Sequence, residues 1–276
     1  MRPCSSLLLA IATLLPGTWA SAQPKDKPTK PPAATVDLKP IQEKLKSADP
    51  QTVAQGLVDA KAAGAAGAPL APSIEEILKK GATPPVDKAA IEALGAMATP
   101  SSSSVLRPYI RHRTPDVRRA AVRALGNTKG PEAIAAFKEG LRTEDGQVRG
   151  FSATGLGNLG AADAIPDLFL ALDRSVTEAA AAIGQLCAPD DCEKFAGRLG
   201  RIGFDVMTSG FDPILFRQKP LPEEALIKIV GRLRELGTPE VSKYLTDVQS
   251  RWPANGSKKV KQAIDSAIPS IPGGAK

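Results

Sequence analysis

Residues 113–141 read RTPDVRRAAVRALGNTKGPEAIAAFKEGL. Val117, Ala121, Ala124 and Leu125 recur at helical spacing and form one apolar face. Gly126 and Asn127 predict the end of that helix, and Gly130-Pro131-Glu132 predicts the start of a second. The second helix carries Ile134, Phe137 and Leu141. Two helices this short do not enclose a core, so the unit needs copies of itself on both sides. A copy follows at 145–172, DGQVRGFSATGLGNLGAADAIPDLFLAL. Val148, Gly157 and Ile165 repeat Val117, Gly126 and Ile134 at an offset of 31 residues.

The period extends outward from this pair of units. Upstream, Val86, Ala90, Ala93, Leu94 and Gly95 occupy the positions of Val117, Ala121, Ala124, Leu125 and Gly126. The partner helix at 100–111 contains Pro108, which predicts a shortened or kinked element. Val53, Leu57 and Ala60 lead an earlier pair that ends at Gly81, behind an opening helix with Leu38, Ile41 and Leu45. Downstream, Val176, Ala180 and Ile183-Gly184 open a fifth pair, completed at about 190–200 by Phe195 and Leu199. The leading valines therefore fall at 53, 86, 117, 148 and 176. Residues 201–222, RIGFDVMTSGFDPILFRQKPLP, break the pattern and predict an irregular insertion. A last pair is expected at 223–236 and 239–251, then a capping helix at 257–268 and a frayed tail from Pro269.

The form D-x-V-R-x-x-A-x-x-A-L-G followed by G-x-P-E-A-I resembles HEAT repeats. It is most similar to the short variety found in bacterial and phycobilisome-lyase-like proteins. The resemblance covers about 50–200 and 223–251. It implies an all-α, right-handed, armadillo-like solenoid of about six helical hairpins over 36–268. It also implies that the second helices, 100–111, 131–141 and 161–172, line the concave face. Protein binding is the role such a surface implies, and Tyr109, Lys138, Asp167 and Asp173 are the contacts it suggests here.

The two ends differ from the repeats. Arg2, the apolar run Leu7–Leu15 and Ala20-Ser21-Ala22 form a signal-peptide pattern over 1–22, with cleavage expected before Gln23. Residues 23–35, QPKDKPTKPPAAT, form a Pro/Lys-rich linker. Loss of 1–22 would take the formal charge from +7 to +6, which suits acidic partners or an anionic envelope surface. The expected location is exported, periplasmic or extracellular. No apolar run is long enough for a membrane span.

Chemistry-bearing residues are few. His112 is the single histidine, so any Ser-His-Asp triad would have to use it. It lies between Arg111 and Arg113 at a helix end, where a solvated cation suits the helix dipole. No Cys/His spacing suits zinc, and no cofactor is expected. Gly155-Leu-Gly-Asn-Leu-Gly160 imitates a dinucleotide fingerprint, but it ends a helix and does not follow a strand. The sequence therefore points to a non-catalytic scaffold.

Three groups stand out as candidate sites. Arg107, Arg111, Arg113, Arg118, Arg119 and Arg123 form a basic cluster with Asp116 as the one acid among them. It is an electrostatic footprint for an anionic polymer or surface, or for an acidic protein. In the family this sequence resembles, an arginine at the position of Arg118 and Arg149 joins an Asp/Arg ladder between repeats. Asp116 and Asp145 are near that phase, which leaves Arg107, Arg111 and Arg113 for a partner. Nucleic acid is disfavoured because no aromatic stacking set accompanies the arginines. The second group is Phe204, Phe211 and Phe216 in the insertion, as packing or as a partner-facing surface. The third is Cys187 and Cys192, expected at the two ends of a tight helix–helix turn and within disulfide reach in an oxidising compartment. A lyase or chaperone-like role rests on resemblance to lyase-associated repeats alone.

Overall fold

The computed structural model describes residues 36–271. The signal-peptide pattern, the linker and residues 272–276 lie outside that range. The described residues form α-helices joined by short turns and 3-10 segments, with one isolated bridge between Leu199 and Ile202 as the only extended pairing.

The helices are α1 (Lys39–Leu45), α2 (Pro50–Ala63), α3 (Ala71–Lys80), α4 (Pro84–Met97), α5 (Ser103–Leu106), α6 (Pro115–Thr128), α7 (Pro131–Gly140), α8 (Gly146–Asn158), α9 (Ile165–Asp173), α10 (Glu178–Leu186), α11 (Pro189–Ala196), α12 (Phe204–Phe216), α13 (Glu223–Leu236), α14 (Pro239–Arg251) and α15 (Lys258–Ala267). Proline opens α2, α4, α6, α7, α11 and α14, where its fixed φ suits the first turn and its missing N–H costs no helical bond. Asp49, Asp145 and Ser257 cap α2, α8 and α15 by accepting backbone N–H bonds.

Two rows of helices result. The first helices α2, α4, α6, α8, α10 and α12 pack each against the next. Their small residues permit the close spacing. A Cβ on Gly95 would lie 2.9 Å from that of Ala124, and one on Gly184 would run into the Gly210 carbonyl. Val117, Ala120, Ala121, Val122, Ala124 and Leu125 of α6 are all buried, so this helix is covered nearly all round. That burial accounts for the abundance of alanine and the scarcity of aromatics. The second row runs from α3 through α5 and its 3-10 extension Arg107–Arg111 to α7, α9 and α11. Pro108 has shortened the second of these to a single α turn.

Three sequence expectations change. First, α6 runs through Gly126 and Asn127 to Thr128, and Lys129 makes the turn in the left-handed region at φ 51°. Second, residues 201–222 are not an irregular insertion. Phe204–Phe216 forms α12, which packs along α10 in the first row. Pro213 is accommodated with its ring against Gly184. The following pairs are therefore out of the expected phase. Helix α13 lies beside α11 and α15 in the second row, while Tyr244 and Arg251 of α14 reach back to Asp212 of α12. In chain order the helices pair as α2–α3, α4–α5, α6–α7, α8–α9, α10–α11, α12–α13 and α14–α15, in keeping with a solenoid of about six hairpins, with α1 packed on α2. Third, the tail is anchored further than expected: Ile268–Ser270 forms a 3-10 turn and Ile271 is buried.

Candidate binding face

The turn between α10 and α11 holds the two cysteines. Cys187 ends α10 and Cys192 lies in the first turn of α11. They are joined by a disulfide with the Cα atoms 5.3 Å apart, and both residues are buried.

The basic cluster is mostly spent on neighbouring repeats. Arg107 donates to Glu139 and to Glu132, the latter at 2.6 Å, and Arg111 lies 3.6 Å from Glu139. Arg118 and Arg119 both donate to the Asp145 carboxylate, at 2.8 and 3.0 Å. Arg118 also bonds the carbonyl of Arg113, and Arg149 makes the same kind of bond to Thr143 and Glu144 one repeat later. The shared repeat position thus has a shared structural task. Asp145 completes the ladder at Arg118, whereas Asp116 only approaches Lys88 at 4.0 Å. Arg123 lies over the Phe151 ring. Arg113 is exposed and makes no ion pair among the described residues.

The other candidates are also engaged within the stack. The Tyr109 hydroxyl donates to the Leu78 carbonyl at 2.7 Å, closing the C-terminal end of α3. The same carbonyl also accepts the Gly81 N–H, so Tyr109→Phe would remove one of its two bonds, and we expect a loss of about 1 kcal/mol in chemical denaturation. Phe211 is fully buried and meets Phe195 edge to face; Phe204 meets Tyr244 and Phe216 meets Trp252. These phenylalanines hold α12 between α10, α11 and α14 and do not form a partner-facing loop.

His112 lies 4.0 Å from the Asp87 carboxylate, and its Nδ1 accepts the Thr114 N–H. Asp87 is buried with one carboxylate oxygen unpartnered, and burial pushes its carboxyl above the usual range while His112 opposes the shift. A carboxyl whose folded pKa exceeds its unfolded one loses stability as pH rises from the ordinary carboxylate range through the folded value. Asp87→Asn does not titrate, so its melting temperature relative to wild type should rise with pH across that window.

The second row carries a regular ladder. Arg107–Glu132, Lys138–Asp163, Arg142–Asp167 and Asp173–Arg198 each join residues 25 apart in sequence, and so join one second-row element to the next. Arg198 holds the Asp173 carboxyl below its usual range. Glu193 continues the ladder toward Lys228 and Arg232 of α13. Exposed pairs of this kind contribute little stability singly. Their effect is to fix long side chains in register along the row.

One apolar spot interrupts the charges. Leu170 of α9 is 46% exposed. It lies between Asp167 and Asp173, three residues away on either side of one helical face. Beside it the Phe169 ring is half-buried, with the Arg198 guanidinium 4.3 Å above its centroid. Sequence reading singled out Asp167 and Asp173 but not Phe169, Leu170 or Arg198. An apolar run such as 169–172 carries no sign of which residue faces outward, and the 25-residue charge spacing was the available signal.

Residues 71–149 match the family described as HEAT repeats. No curated protein matches the chain. Among solved structures, the complex of CpcE and CpcF of phycocyanin lyase from Nostoc sp. PCC7120 is 18% identical. That match covers 88% of this chain and all of that one, with a TM-score of 0.44. A designed armadillo repeat protein is 15% identical over 85% of this chain and all of its own, with a TM-score of 0.43. An engineered protein from a structural genomics programme is 19% identical, covering 85% of this chain and 68% of that one at a TM-score of 0.48. The chain is thus similar in part to HEAT repeats, and its stacked hairpins form an α-solenoid. No described helix is long and apolar enough to cross a membrane.

Proposed function

We infer that this protein is an exported, non-catalytic scaffold that binds another protein through the second-row face centred on α9. The observation that carries this is Leu170, a large exposed apolar side chain framed by the Arg142–Asp167 and Asp173–Arg198 pairs. An apolar contact ringed by ordered polar groups is the arrangement that excludes water most effectively in protein interfaces. Export is supported by the pattern at 1–22 and by the Cys187–Cys192 pairing, which suits an oxidising compartment. An anionic polymer has less to hold, because most arginines of the 107–123 cluster face carboxylates or a ring.

The test is affinity capture from the native envelope, using wild type and Leu170→Asp. Leu170 is exposed, so the variant should fold with an unchanged circular dichroism spectrum and melting temperature. We expect it to lose the captured partner, with binding at least tenfold weaker. Equal capture by both proteins would refute the assignment of this face.

A further inference from the structure

The joint between α10 and α11 holds a half-buried cation. Arg217 follows α12 and turns back into the α10–α11 joint. It donates to the carbonyls of Gly184 at 2.9 Å and Cys187 at 3.1 Å, which are the free acceptors at the end of α10. The same guanidinium lies 3.4 Å from the Cys187 sulfur and 3.6 Å from the Cys192 sulfur. It forms no ion pair among the described residues, and its Nε is buried without a partner. Burial pulls its pKa below the ordinary arginine value. Burying a charge is costly unless a counter-charge accompanies it.

The surrounding elements do not provide that counter-charge. On α11, Asp191 is paired with Lys194, Glu193 faces Lys228 and Arg232 of α13, and Asp190 is exposed. On α12, Asp212 accepts from Tyr244 and Arg251. Glu178 lies at the opposite end of α10. The anion that fits the position is a thiolate, which the two sulfurs would supply on reduction.

We propose that Cys187, Cys192 and Arg217 form a redox-active dithiol/disulfide site, in which the guanidinium stabilises a thiolate in the reduced state. Cys192 is the sulfur that ionises. It stands in the first turn of α11, where the helix dipole favours a negative charge, whereas Cys187 stands at the C-terminal end of α10, where it does not. Asp190 and Asp191 in the same turn oppose this, and Arg217 outweighs them through direct contact. The reductant is a dithiol. Its two thiols give two electrons, the protein S–S bond breaks, and an S–S bond forms in the reductant. One of the two protons goes to Cys187 and the other to solvent, leaving Cys192 as thiolate.

The experiment uses the purified full chain reduced with dithiothreitol. The pH dependence of iodoacetamide alkylation gives the thiol pKa values in wild type, Arg217→Met and Arg217→Lys. We expect one wild-type thiol to titrate at least one unit below its value in the urea-unfolded chain. Arg217→Met should return it to that value or above, and Arg217→Lys should retain part of the shift. At pH 9 the equilibrium with dithiothreitol should move about tenfold toward the disulfide in Arg217→Met, equivalent to about 30 mV. Equal thiol pKa values in wild type and Arg217→Met would overturn the proposal. If Arg217→Met does not fold, the folded-versus-unfolded comparison in wild type decides alone, and an unlowered thiol overturns it.

Discussion

Phe137→Ala should destabilise the protein by about 3–5 kcal/mol, the range for truncating a fully buried aromatic ring. The ring of Phe137 projects from α7 against Gly155 of α8, where a Cβ would overlap the ring, and its tip approaches Gly126 of α6. Gly155 and Gly126 form part of the wall around it, and neither has a side chain to move into the vacated space. The cavity would lie where three helices of two repeats meet. In a stack whose stability is carried by nearest-neighbour interfaces, such a defect weakens the link between the halves as well as the site itself. Guanidinium unfolding should therefore show a lower midpoint and a broader transition. Gly155→Ala alone overpacks the same contact and should cost about 1–3 kcal/mol. Combining the two should cost clearly less than the sum of both, because the new methyl enters the space left by the ring. Strict additivity would show that Phe137 does not pack on Gly155.

The contact between Phe137 and Gly155 illustrates which part of the fold was legible. Val117, Val148 and their companions recur every 31 residues, and that period specified paired helices, their order and their buried faces. The period was less visible in α12 because two of its three leading residues changed type while keeping their places. Met207, Phe211 and Ile214 stand 31 residues after Val176, Ala180 and Ile183, and all three are buried. Met207 and Phe211 are larger than Val176 and Ala180, while Ile214 repeats Ile183, and the Phe211 ring meets Phe195 edge to face. Three phenylalanines between glycines consequently resembled a loop. The site was less legible still. An arginine in a sequence carries no sign of whether a carboxylate 25 residues away will meet it. Arg107 and Lys138 looked available for that reason, although each has a partner in the next repeat. Leu170 was hidden by the opposite ambiguity, since an apolar residue in an apolar run reads as core. Arg217 was masked by distance, lying 30 residues from Cys187 in sequence.

Asp145→Ala is the second substitution with a large expected effect, and it tests the electrostatic link between α6 and α8. The Asp145 carboxylate is nearly inaccessible, with its side chain 1% exposed. It accepts from Gln147 and Val148 N–H groups as the N-cap of α8, and from Arg118 and Arg119 of the preceding repeat. Burial would raise its pKa, but the bonds from Arg118, Val148 and Arg119 outweigh that and hold the carboxyl below the usual range. Arg118 and Arg119 keep partial access to water, so removing Asp145 does not strand a buried charge. The loss is expected to be about 2–4 kcal/mol, combining a missing N-cap with missing charge-assisted hydrogen bonds. Asp145→Asn keeps the cap and loses the charge, so it should fall between wild type and Asp145→Ala. The pH dependence separates the two contributions. A carboxyl with a depressed folded pKa adds stability that is present above its unfolded value and disappears as pH falls through its folded value. The wild-type advantage over Asp145→Asn should therefore hold at neutral pH and shrink in acid, below the ordinary carboxylate range. Thermal melts across that range provide the measurement. A difference that stays constant down to the lowest pH would mean that the arginines do not hold the Asp145 charge, and the link between these repeats would then rest on packing around Val117, Leu125 and Val148 alone.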